Sequence, residues 1–281
     1  MLRTRILTAL VIAPVVLCAL FLLAPRGFGV AALAVMVFAA REWSRLAQFP
    51  AWLTWAFAGG ILLAGAVLLF LPGLGFDGGW PEPIVYAVCG ASALFWLIVA
   101  PVWVGVRWPS PRAGVMFACG WIVLGGAWMA LVELQARSPW LVLAAMAIVW
   151  IADTAAYFSG RAFGRRKLAP QISPGKTWEG VYGALVAVGV YALCLVPFAR
   201  AAGFDTAVGA TAIAAWLGFA LLLTGVSVYG DLFESLLKRH AGVKDSGNLL
   251  PGHGGVLDRI DALLAAMPLA ALAAQWFLVK T

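Results

Sequence analysis

The densest group of residues suited to chemistry lies near the C-terminal end of the chain, in segment 235–261. It reads SLLKRHAGVKDSGNLLPGHGGVLDRID and mixes lysines, arginines and histidines with aspartates and glycines. The chain around it is apolar, with 64% hydrophobic and only 11% charged residues. Because a charged side chain costs about 2.5–3.5 kcal/mol at the centre of a membrane-spanning helix, such a segment indicates binding of an anionic substrate and a metal ion.

Two aspartates on successive apolar segments are the candidate metal ligands. Asp231 precedes segment 235–261 and Asp258 lies near its end, so the intervening loop can bring both carboxylates to one divalent ion. Asp261 follows three residues later, at a helix start, and can face the same way. Carboxylate and phosphate oxygens are the ligands that Mg²⁺ prefers. The alternative is that Asp231 and Asp258 form salt bridges with Lys238 or Arg259.

The residues between these aspartates suggest a polar helix end followed by a glycine-rich loop. Helical spacing places Asp231 with Ser235, and Glu234 with Lys238, on shared faces. The glycines of the loop permit positive φ angles or close approach of the backbone to a ligand. His253 stands between two of them. A role for its imidazole as a proton shuttle or phosphate ligand competes with a purely structural one.

An aspartate inside an earlier apolar helix is a further candidate. Asp153 belongs to the segment IADTAAYFSGRAFGRRK and is followed four residues later by Tyr157 on the same helix face. An ionisable residue in such a position favours a functional role. The alternative is a buried ion pair with an arginine such as Arg161.

A basic turn lies between these regions, in the segment ISPGKTWEG. Pro174 and Gly175 predict a tight turn, and Lys176 and Thr177 follow it just before a helix. The N–H groups at that helix start would favour an anion, so we expect a phosphate-binding turn. A basic loop that serves membrane topology alone is the alternative. A P-loop is excluded, because its first glycine would fall on Pro170.

The composition indicates an all-α, polytopic integral membrane protein. Mean hydropathy is +0.97, and the apolar runs are about 20 residues long and do not alternate, which favours helices over strands. The cysteines stand singly and the chain has only two histidines, which argues against a zinc site and a catalytic triad. We expect nine spans, at residues 5–24, 27–47, 51–72, 83–106, 113–134, 140–160, 179–199, 207–229 and 262–279.

Basic residues orient these spans. If the N-terminus is cytoplasmic, all but four of the 19 Lys and Arg residues lie on the cytoplasmic side, as the positive-inside rule requires. The four on the other side are Arg26, Arg137, Arg200 and Lys280. The C-terminus is then extracytoplasmic. The small remainder outside the spans favours a bacterial inner membrane with the active site facing the cytoplasm.

The acidic residues divide the chain into unequal halves. Those before residue 140 each lie near a span end or in a loop, where a carboxylate is solvated: Glu42, Asp77, Glu82 and Glu133. The others lie between residues 150 and 261. We therefore expect residues 1–281 to form a single membrane domain, in which 1–140 are mainly scaffold helices and 141–281 are the catalytic half.

The run from Ser235 to Asp261 resembles the signature of the phosphatidate cytidylyltransferases, also called CDP-diacylglycerol synthases. The segments DTAAYFSGRAFG and SPGKTWEG are similar to other polar segments of that family, although Gly175 stands where some members carry a second basic residue. The resemblance implies that CTP and phosphatidate react to CDP-diacylglycerol and pyrophosphate in phospholipid biosynthesis. A phosphatidate oxygen would attack the α-phosphorus of CTP directly, without a protein nucleophile.

The resemblance further implies Mg²⁺ dependence, with a second, monovalent cation such as K⁺. The partners would be the two substrates and the lipid bilayer, with no nucleic acid; a homodimer is not indicated by any motif and stays open. The expected catalytic residues are Asp231, Asp258, Lys244 and His253, and the expected metal ligands are Asp231, Asp258 and Asp261. The expected substrate-binding residues are Asp153, Ser173, Lys176, Thr177, Glu179, Ser235, Lys238, Arg239, Asp245, Gly254, Gly255 and Arg259.

Three other functions compete with this one. A secondary transporter would also place charges in broken helices, but usually near the midplane of two related halves. A CDP-alcohol phosphotransferase would need the pattern DGxxAR…GxxxDxxxD, which is absent because Asp153 is followed by TAAY. A structural membrane scaffold would leave the clustered carboxylates unexplained.

Replacement of either central aspartate tests the metal hypothesis. Asp231→Asn or Asp258→Asn should abolish turnover, because an amide is a poor ligand for Mg²⁺, while the protein stays folded and inserted. Activity is measured on the purified variants after their folding has been checked by thermal unfolding. Near-normal activity of either variant would contradict the assignment.

Overall fold

The computed structural model describes residues 2–71, 76, 79–109, 111–201 and 209–277, and within them the chain forms nine long helices and one β-hairpin. Helices α4 and α5 each contain a π-helical turn, at Phe95–Val99 and Trp121–Gly125. The elements are α1 (Leu2–Leu22), α2 (Pro25–Leu46), α3 (Ala51–Phe70), α4 (Glu82–Val106), α5 (Ala113–Arg137), α6 (Pro139–Phe163), β1 (Lys167–Ala169), β2 (Ser173–Thr177), α7 (Trp178–Ala201), α8 (Ala210–His240) and α9 (Leu257–Phe277).

Most of these helices are suited to a bilayer. Over the described residues, seven of them, α2 to α8, are long and apolar enough to cross a membrane. The prediction of an all-α integral membrane protein is thereby confirmed. Two ends differ from the expected spans: α8 continues to His240 rather than stopping near 229, and α9 begins at Leu257 rather than near 262. The polar residues there are helical because they pair with one another instead of unwinding.

Helix α9 lies at the centre of the bundle. Residues 262–271 are all buried, and the helix packs along α8, α5 and α4. Its many alanines allow the neighbouring backbones to come close, as small residues do at helix contacts in membranes. Where α8 crosses it, a Cβ built on Gly230 would lie 2.7 Å from the Asp261 carbonyl oxygen and 2.9 Å from Ala265 Cβ. This contact brings the polar end of α8 against the polar start of α9.

The hairpin between α6 and α7 corrects one prediction. Lys167 of β1 lies opposite Thr177 of β2, and Ala169 lies opposite Ser173 in the antiparallel pair. The chain therefore turns at residues 170–172, and the expected tight turn at Pro174 and Gly175 is wrong. These two residues belong to β2, which has two more residues than β1 between the paired positions. A proline without an N–H donor suits such a bulge.

Two of the early carboxylates also differ from expectation. Glu42 and Glu133 are buried, with 9% and 3% of their surface exposed, whereas Glu82 is exposed as expected. The prediction that all of them are solvated is therefore wrong for these two, which are hydrogen-bonded inside the bundle instead. Several predicted positions lie outside the described residues: Asp77, Asp205, Lys280 and the end of the last expected span, together with the side chains of Arg3, Arg5 and Arg200.

The close crossing of α8 and α9 can be tested with two matched glycines of α8. Gly230→Ala should lower the free energy of unfolding by about 1–3 kcal/mol, because the new methyl group meets backbone and the helices must separate. Gly225→Ala should leave stability unchanged or raise it by up to about 1 kcal/mol, since nothing lies within 4 Å of its Cβ position. Thermal unfolding in detergent measures both. Equal melting temperatures would contradict the packing.

Candidate active site

The end of α8, the start of α9 and strand β2 bring several charged side chains together at one end of the bundle. Asp231 accepts a hydrogen bond from the Ser235 hydroxyl at 3.2 Å through one oxygen. Its other oxygen lies 2.6 Å from the Lys176 ammonium, with about a quarter to a third of each side chain exposed. The expected shared face of Asp231 and Ser235 is confirmed, and the basic hairpin is joined to α8 by an ion pair.

A second lysine joins α8 to α9. The Lys238 ammonium lies 2.7 Å from a Glu234 oxygen and 2.6 Å from an Asp258 oxygen, and no more than 12% of any of the three side chains is exposed. The expected pairing of Glu234 with Lys238 one helical turn apart is confirmed. The alternative considered for Asp258, a salt bridge to Lys238, is the arrangement present. The two buried carboxylates thus share the charge of one lysine.

The other oxygen of Asp258 binds the glycine-rich loop. It accepts hydrogen bonds from the backbone N–H groups of Gly255 at 2.8 Å and Ser246 at 2.9 Å, and lies 3.0 Å from the Ser246 hydroxyl. Gly254 has a φ of +83°, and a Cβ there would lie 2.8 Å from the same carboxylate oxygen. Glycine is therefore required at Gly254 both for its backbone conformation and for the close approach of Asp258.

Two further carboxylates lie near Asp231. Asp153 on α6 is exposed and lies within electrostatic range of Asp231 and Lys176. Asp261 on α9 interacts with the charges of Asp231 and Glu234, and accepts the N–H of the following residue at 2.8 Å. The alternative of an ion pair between Asp153 and Arg161 is not the arrangement present, because the Arg161 guanidinium donates to the Tyr157 hydroxyl at 3.2 Å.

The hairpin residues hold the local structure around Lys176. The buried Thr177 hydroxyl accepts the N–H of Gly180 at 3.2 Å and so caps the start of α7. The Glu179 carboxylate accepts the N–H groups of Arg165 and Arg166 at 3.1–3.2 Å. These contacts make Thr177 and Glu179 structural supports for the hairpin. Ser173 lies at the start of β2, opposite Ala169.

The loop between α8 and α9 exposes some predicted residues and uses others internally. Lys244 and Asp245 are exposed to solvent. The backbone N–H of His253 donates to the Leu250 carbonyl at 2.9 Å, while the buried Nδ1 atom of its ring has no hydrogen-bond partner among the described residues. Arg259 donates to the His253 carbonyl at 3.0 Å, so this guanidinium supports the loop backbone.

Arg239 has a similar structural contact. Its Nε donates to the Ile172 carbonyl at 3.1 Å, at the turn of the hairpin. The guanidinium therefore ties the last turn of α8 to the hairpin that carries Lys176. Of the basic residues predicted to contact an anion, Arg239, Lys244 and Arg259 are exposed to solvent and Lys176 is partly exposed.

Sequence reasoning missed three contributors to the cluster. Glu234 was noticed for its helical spacing, but not as a partner of the lysine that binds Asp258. Ser246 and Glu42 were missed altogether. The N–H of Ser246 donates to Asp258, and Glu42 accepts the N–H of Leu257. A signal for Glu42 exists, because it is the only acidic residue of the first two helices. Its spacing alone does not reveal a partner more than 200 residues away.

The donor set suits a hard divalent cation. All side-chain ligands available are carboxylate oxygens, and one buried oxygen of Glu234 lacks a hydrogen-bond partner. Two ammonium groups occupy the positions next to Asp231 and Asp258 where cationic charge is needed. Among the described residues, however, no group of three or more His, Cys, Asp or Glu side chains is arranged to hold a metal ion. Metal binding by the predicted set requires Lys176 to leave Asp231, and it requires a lone pair of the Asp258 oxygen that Lys238 leaves unused.

The two lysines differ in burial, which predicts different effects on stability. Lys238→Met should lower the free energy of unfolding by about 3–5 kcal/mol, because two buried carboxylates lose their cation. Lys176→Met should cost about 1 kcal/mol or less, because that pair is partly exposed. Denaturant or thermal unfolding of both purified variants measures the difference. Equal losses of unfolding free energy in the two variants would contradict the expected effect of burial on the two ion pairs.

The sequence of the chain is similar to those of known proteins. Residues 3–277 match the model of a family described as the cytidylyltransferase family. A phosphatidate cytidylyltransferase of Pseudomonas aeruginosa is 42% identical over 291 residues, covering 98% of this chain and 99% of the relative. Proteins of the same name from Haemophilus influenzae and Brucella suis are each 38% identical, over 95% of this chain and 96% and 91% of their own lengths.

Proposed function

The chain belongs to the cytidylyltransferase family, and we propose that the cluster around Asp231 and Asp258 is the site at which it transfers the cytidylyl group of CTP to phosphatidate. The products are CDP-diacylglycerol and pyrophosphate. The observation that carries the assignment is the convergence of Asp231, Lys176, Lys238 and Asp258 at one end of an apolar bundle. A membrane-embedded phosphate ester could reach this end from the lipid, and a nucleotide could reach it from water.

The reaction needs position and charge neutralisation more than covalent chemistry from the protein. A phosphatidate oxygen attacks the α-phosphorus of CTP in line, and the bond to the leaving pyrophosphate breaks. Lys244 and the partly exposed Lys176 are cations that could meet phosphate oxygens, as could the exposed guanidinium groups of Arg239 and Arg259. Lys238 is held by two carboxylates, which suits it to fix Asp258 and to balance local charge. Arg239 and Arg259 support the hairpin and the loop.

Nucleotidyl transfer generally uses a divalent metal ion, and the carboxylate oxygens around Asp231 are of the kind that such an ion prefers. We assign it as Mg²⁺, with a second, monovalent cation as the finer expectation from the family resemblance. Asp231, Asp258 and Asp261 would hold it, and the bound ion would neutralise negative charge on the reacting phosphates. The chain's own part is to release Lys176 from Asp231, so that the freed ammonium can meet the phosphates that arrive with the metal.

The remaining substrate contacts follow from position. Asp153 and Ser235 lie next to Asp231, and Ser173, Thr177 and Glu179 shape the hairpin beside it. Asp245, His253, Gly254 and Gly255 belong to the loop that approaches Asp258. We retain these residues as substrate-binding or catalytic candidates, with His253 as the proton shuttle or phosphate ligand because its Nδ1 atom is unpartnered.

The membrane arrangement of this site follows from the basic residues. We propose that all nine helices span the bilayer, with the N-terminus and the site on the cytoplasmic side and the C-terminus outside. The bacterial origin of the relatives supports the inner membrane as location. CTP is then available from the cytoplasm and phosphatidate from the inner leaflet. A homodimer stays a prediction.

The activity can be measured directly on the purified full-length protein in detergent. With phosphatidate, labelled CTP and Mg²⁺, we expect labelled lipid and free pyrophosphate. Omission of phosphatidate, its replacement by diacylglycerol, or addition of EDTA should each abolish the product, because the acceptor phosphate and the divalent ion are both required. A folded protein that binds CTP but produces no labelled lipid would contradict the proposed acceptor.

A further inference from the structure

A carboxylate from the N-terminal half of the chain reaches the loop that carries Asp258. Glu42 lies on α2, close to its end at Leu46, and is 9% exposed. One of its oxygens accepts the N–H of Val256 at 3.0 Å, and the other accepts the N–H of Leu257 at 2.7 Å. Glu42 is the only acidic residue in the described part of residues 1–80. The contact joins α2 to the start of the central helix α9.

This contact caps the start of α9. The first N–H groups of a helix have no partners within the helix, and a carboxylate placed there satisfies them and interacts favourably with the helix dipole. The first residue of α9 is Leu257, so Glu42 binds the N–H groups at the helix entrance. A residue of a distant helix therefore does what a neighbouring N-cap side chain usually does. Asp258, the second residue of α9, is held by the same turn.

The loop is shaped to admit this carboxylate. Methyl groups added at Gly247 or Gly255 would overlap Glu42. Both glycines therefore leave space that the carboxylate fills, and the loop can close around it only without side chains there. For Gly255 this observation gives a second reason for glycine, besides the N–H bond that it donates to Asp258.

Ser246 connects Glu42 with Asp258. Its hydroxyl oxygen lies 3.0 Å from a Glu42 oxygen and 3.0 Å from an Asp258 oxygen, and the whole residue is buried. The single hydroxyl proton can be donated to only one of the two carboxylates at a time. The backbone N–H of Ser246 donates to Asp258 at 2.9 Å. A displacement of the Glu42 carboxylate would therefore shift Asp258 in two ways, through Ser246 and through the first turn of α9.

We propose that Glu42 is a positioning residue for the cytidylyl transfer. It fixes the glycine-rich loop and the first turn of α9 so that Asp258 presents its carboxylate in one orientation, and it acts through Asp258 without touching the substrate. The inference rests on the proposed function for its catalytic consequence, whereas its structural part stands without that function. The N-terminal half, expected to be scaffold, thus contributes one side chain to the geometry of the site.

The test compares Glu42→Gln with a matched control, Glu133→Gln. The Glu133 carboxylate contacts α9 near the end opposite to the one that Glu42 contacts. Glu133 on α5 is also a buried carboxylate: it accepts hydrogen bonds from Trp80 N at 3.2 Å, and from Arg137 Nε and Gln275 Nε2 at 3.1 Å. Gln275 belongs to α9. Glu133→Gln therefore weakens the anchoring of α9 without touching the site, and it controls for a general loss of stability.

Glu42→Gln places an amide NH₂ against N–H groups or the serine hydroxyl, so at least one hydrogen bond becomes a donor–donor contact. We expect kcat to fall by about tenfold or more, because small displacements of catalytic groups cost rate steeply. KM values for CTP and phosphatidate should change by less than about twofold, since an effect on the transition state alone lowers kcat and kcat/KM together. Glu133→Gln should keep kcat within about twofold of wild type.

A second readout does not depend on activity. Amide hydrogen exchange of the full-length protein in detergent, followed by mass spectrometry, should show faster exchange across residues 246–257 in Glu42→Gln and unchanged exchange there in Glu133→Gln. Ser246→Ala removes the connecting hydroxyl and is the milder variant for the case that Glu42→Gln does not fold. It should lower kcat and speed exchange in the same segment.

The outcomes separate the possibilities. Unchanged kcat and unchanged exchange in Glu42→Gln, or in Ser246→Ala where the first variant does not fold, would overturn the proposal. An equal loss of kcat in Glu133→Gln would also overturn it, because the effect would then be general destabilisation. If wild-type protein has no cytidylyltransferase activity, the proposed function fails, whereas faster exchange of 246–257 in Glu42→Gln would still establish the positioning contact.

Discussion

Buried carboxylates at the end of an apolar helical bundle need cations or N–H groups as partners. At the start of α9, Asp258 and Glu42 both find such partners. Asp258 is bound on both oxygens: one faces the Lys238 ammonium at 2.6 Å, and the other accepts the N–H of Gly255 at 2.8 Å. Because its side chain is only 4% exposed, water does not replace these partners. The course of the loop, its glycines and the end of α8 are all constrained by this one carboxylate.

The two lysines of the site have different surroundings, and this difference suggests a division of roles. Lys238 is buried between two carboxylates, so removing it would leave unpaired charges at a high cost. Lys176 has one partner and is partly open to water, so its ion pair with Asp231 can exchange at small cost. A site that must accept a metal ion and a polyphosphate needs one fixed cation to keep its shape. It also needs one mobile cation that can pass from a carboxylate to a phosphate.

The sequence was sufficient to predict the fold class and the segments that form the polar cluster. Hydropathy located the long helices, and the polar run from Ser235 to Asp261 located the region that joins α8 to α9, although both helices extend into it. Local spacing also predicted the contacts within α8, since Asp231 with Ser235 and Glu234 with Lys238 are four residues apart. These features are local, and periodicity reports local contacts directly.

What the sequence did not predict depends on long-range packing. Glu42 and Ser246 are 204 positions apart and meet only because α2 packs near the start of α9. The partner of Asp231 proved to be Lys176 of the hairpin rather than a neighbour on the same helix, since β2 places that ammonium beside α8. The misplaced turn has a local cause: Pro and Gly mark turns and bulges alike, and only the pairing of β1 with β2 distinguishes them.

An experimental structure of the full-length protein with Mg²⁺ and a non-hydrolysable CTP analogue tests the assignment of the site most directly. The account predicts a metal ion bound by Asp231 and Asp258 at about 2.0–2.1 Å from their oxygens. It also predicts that the Lys176 ammonium has left its position 2.6 Å from Asp231 and lies on a phosphate. A nucleotide bound elsewhere, with the ion pair between Lys176 and Asp231 intact, would contradict it.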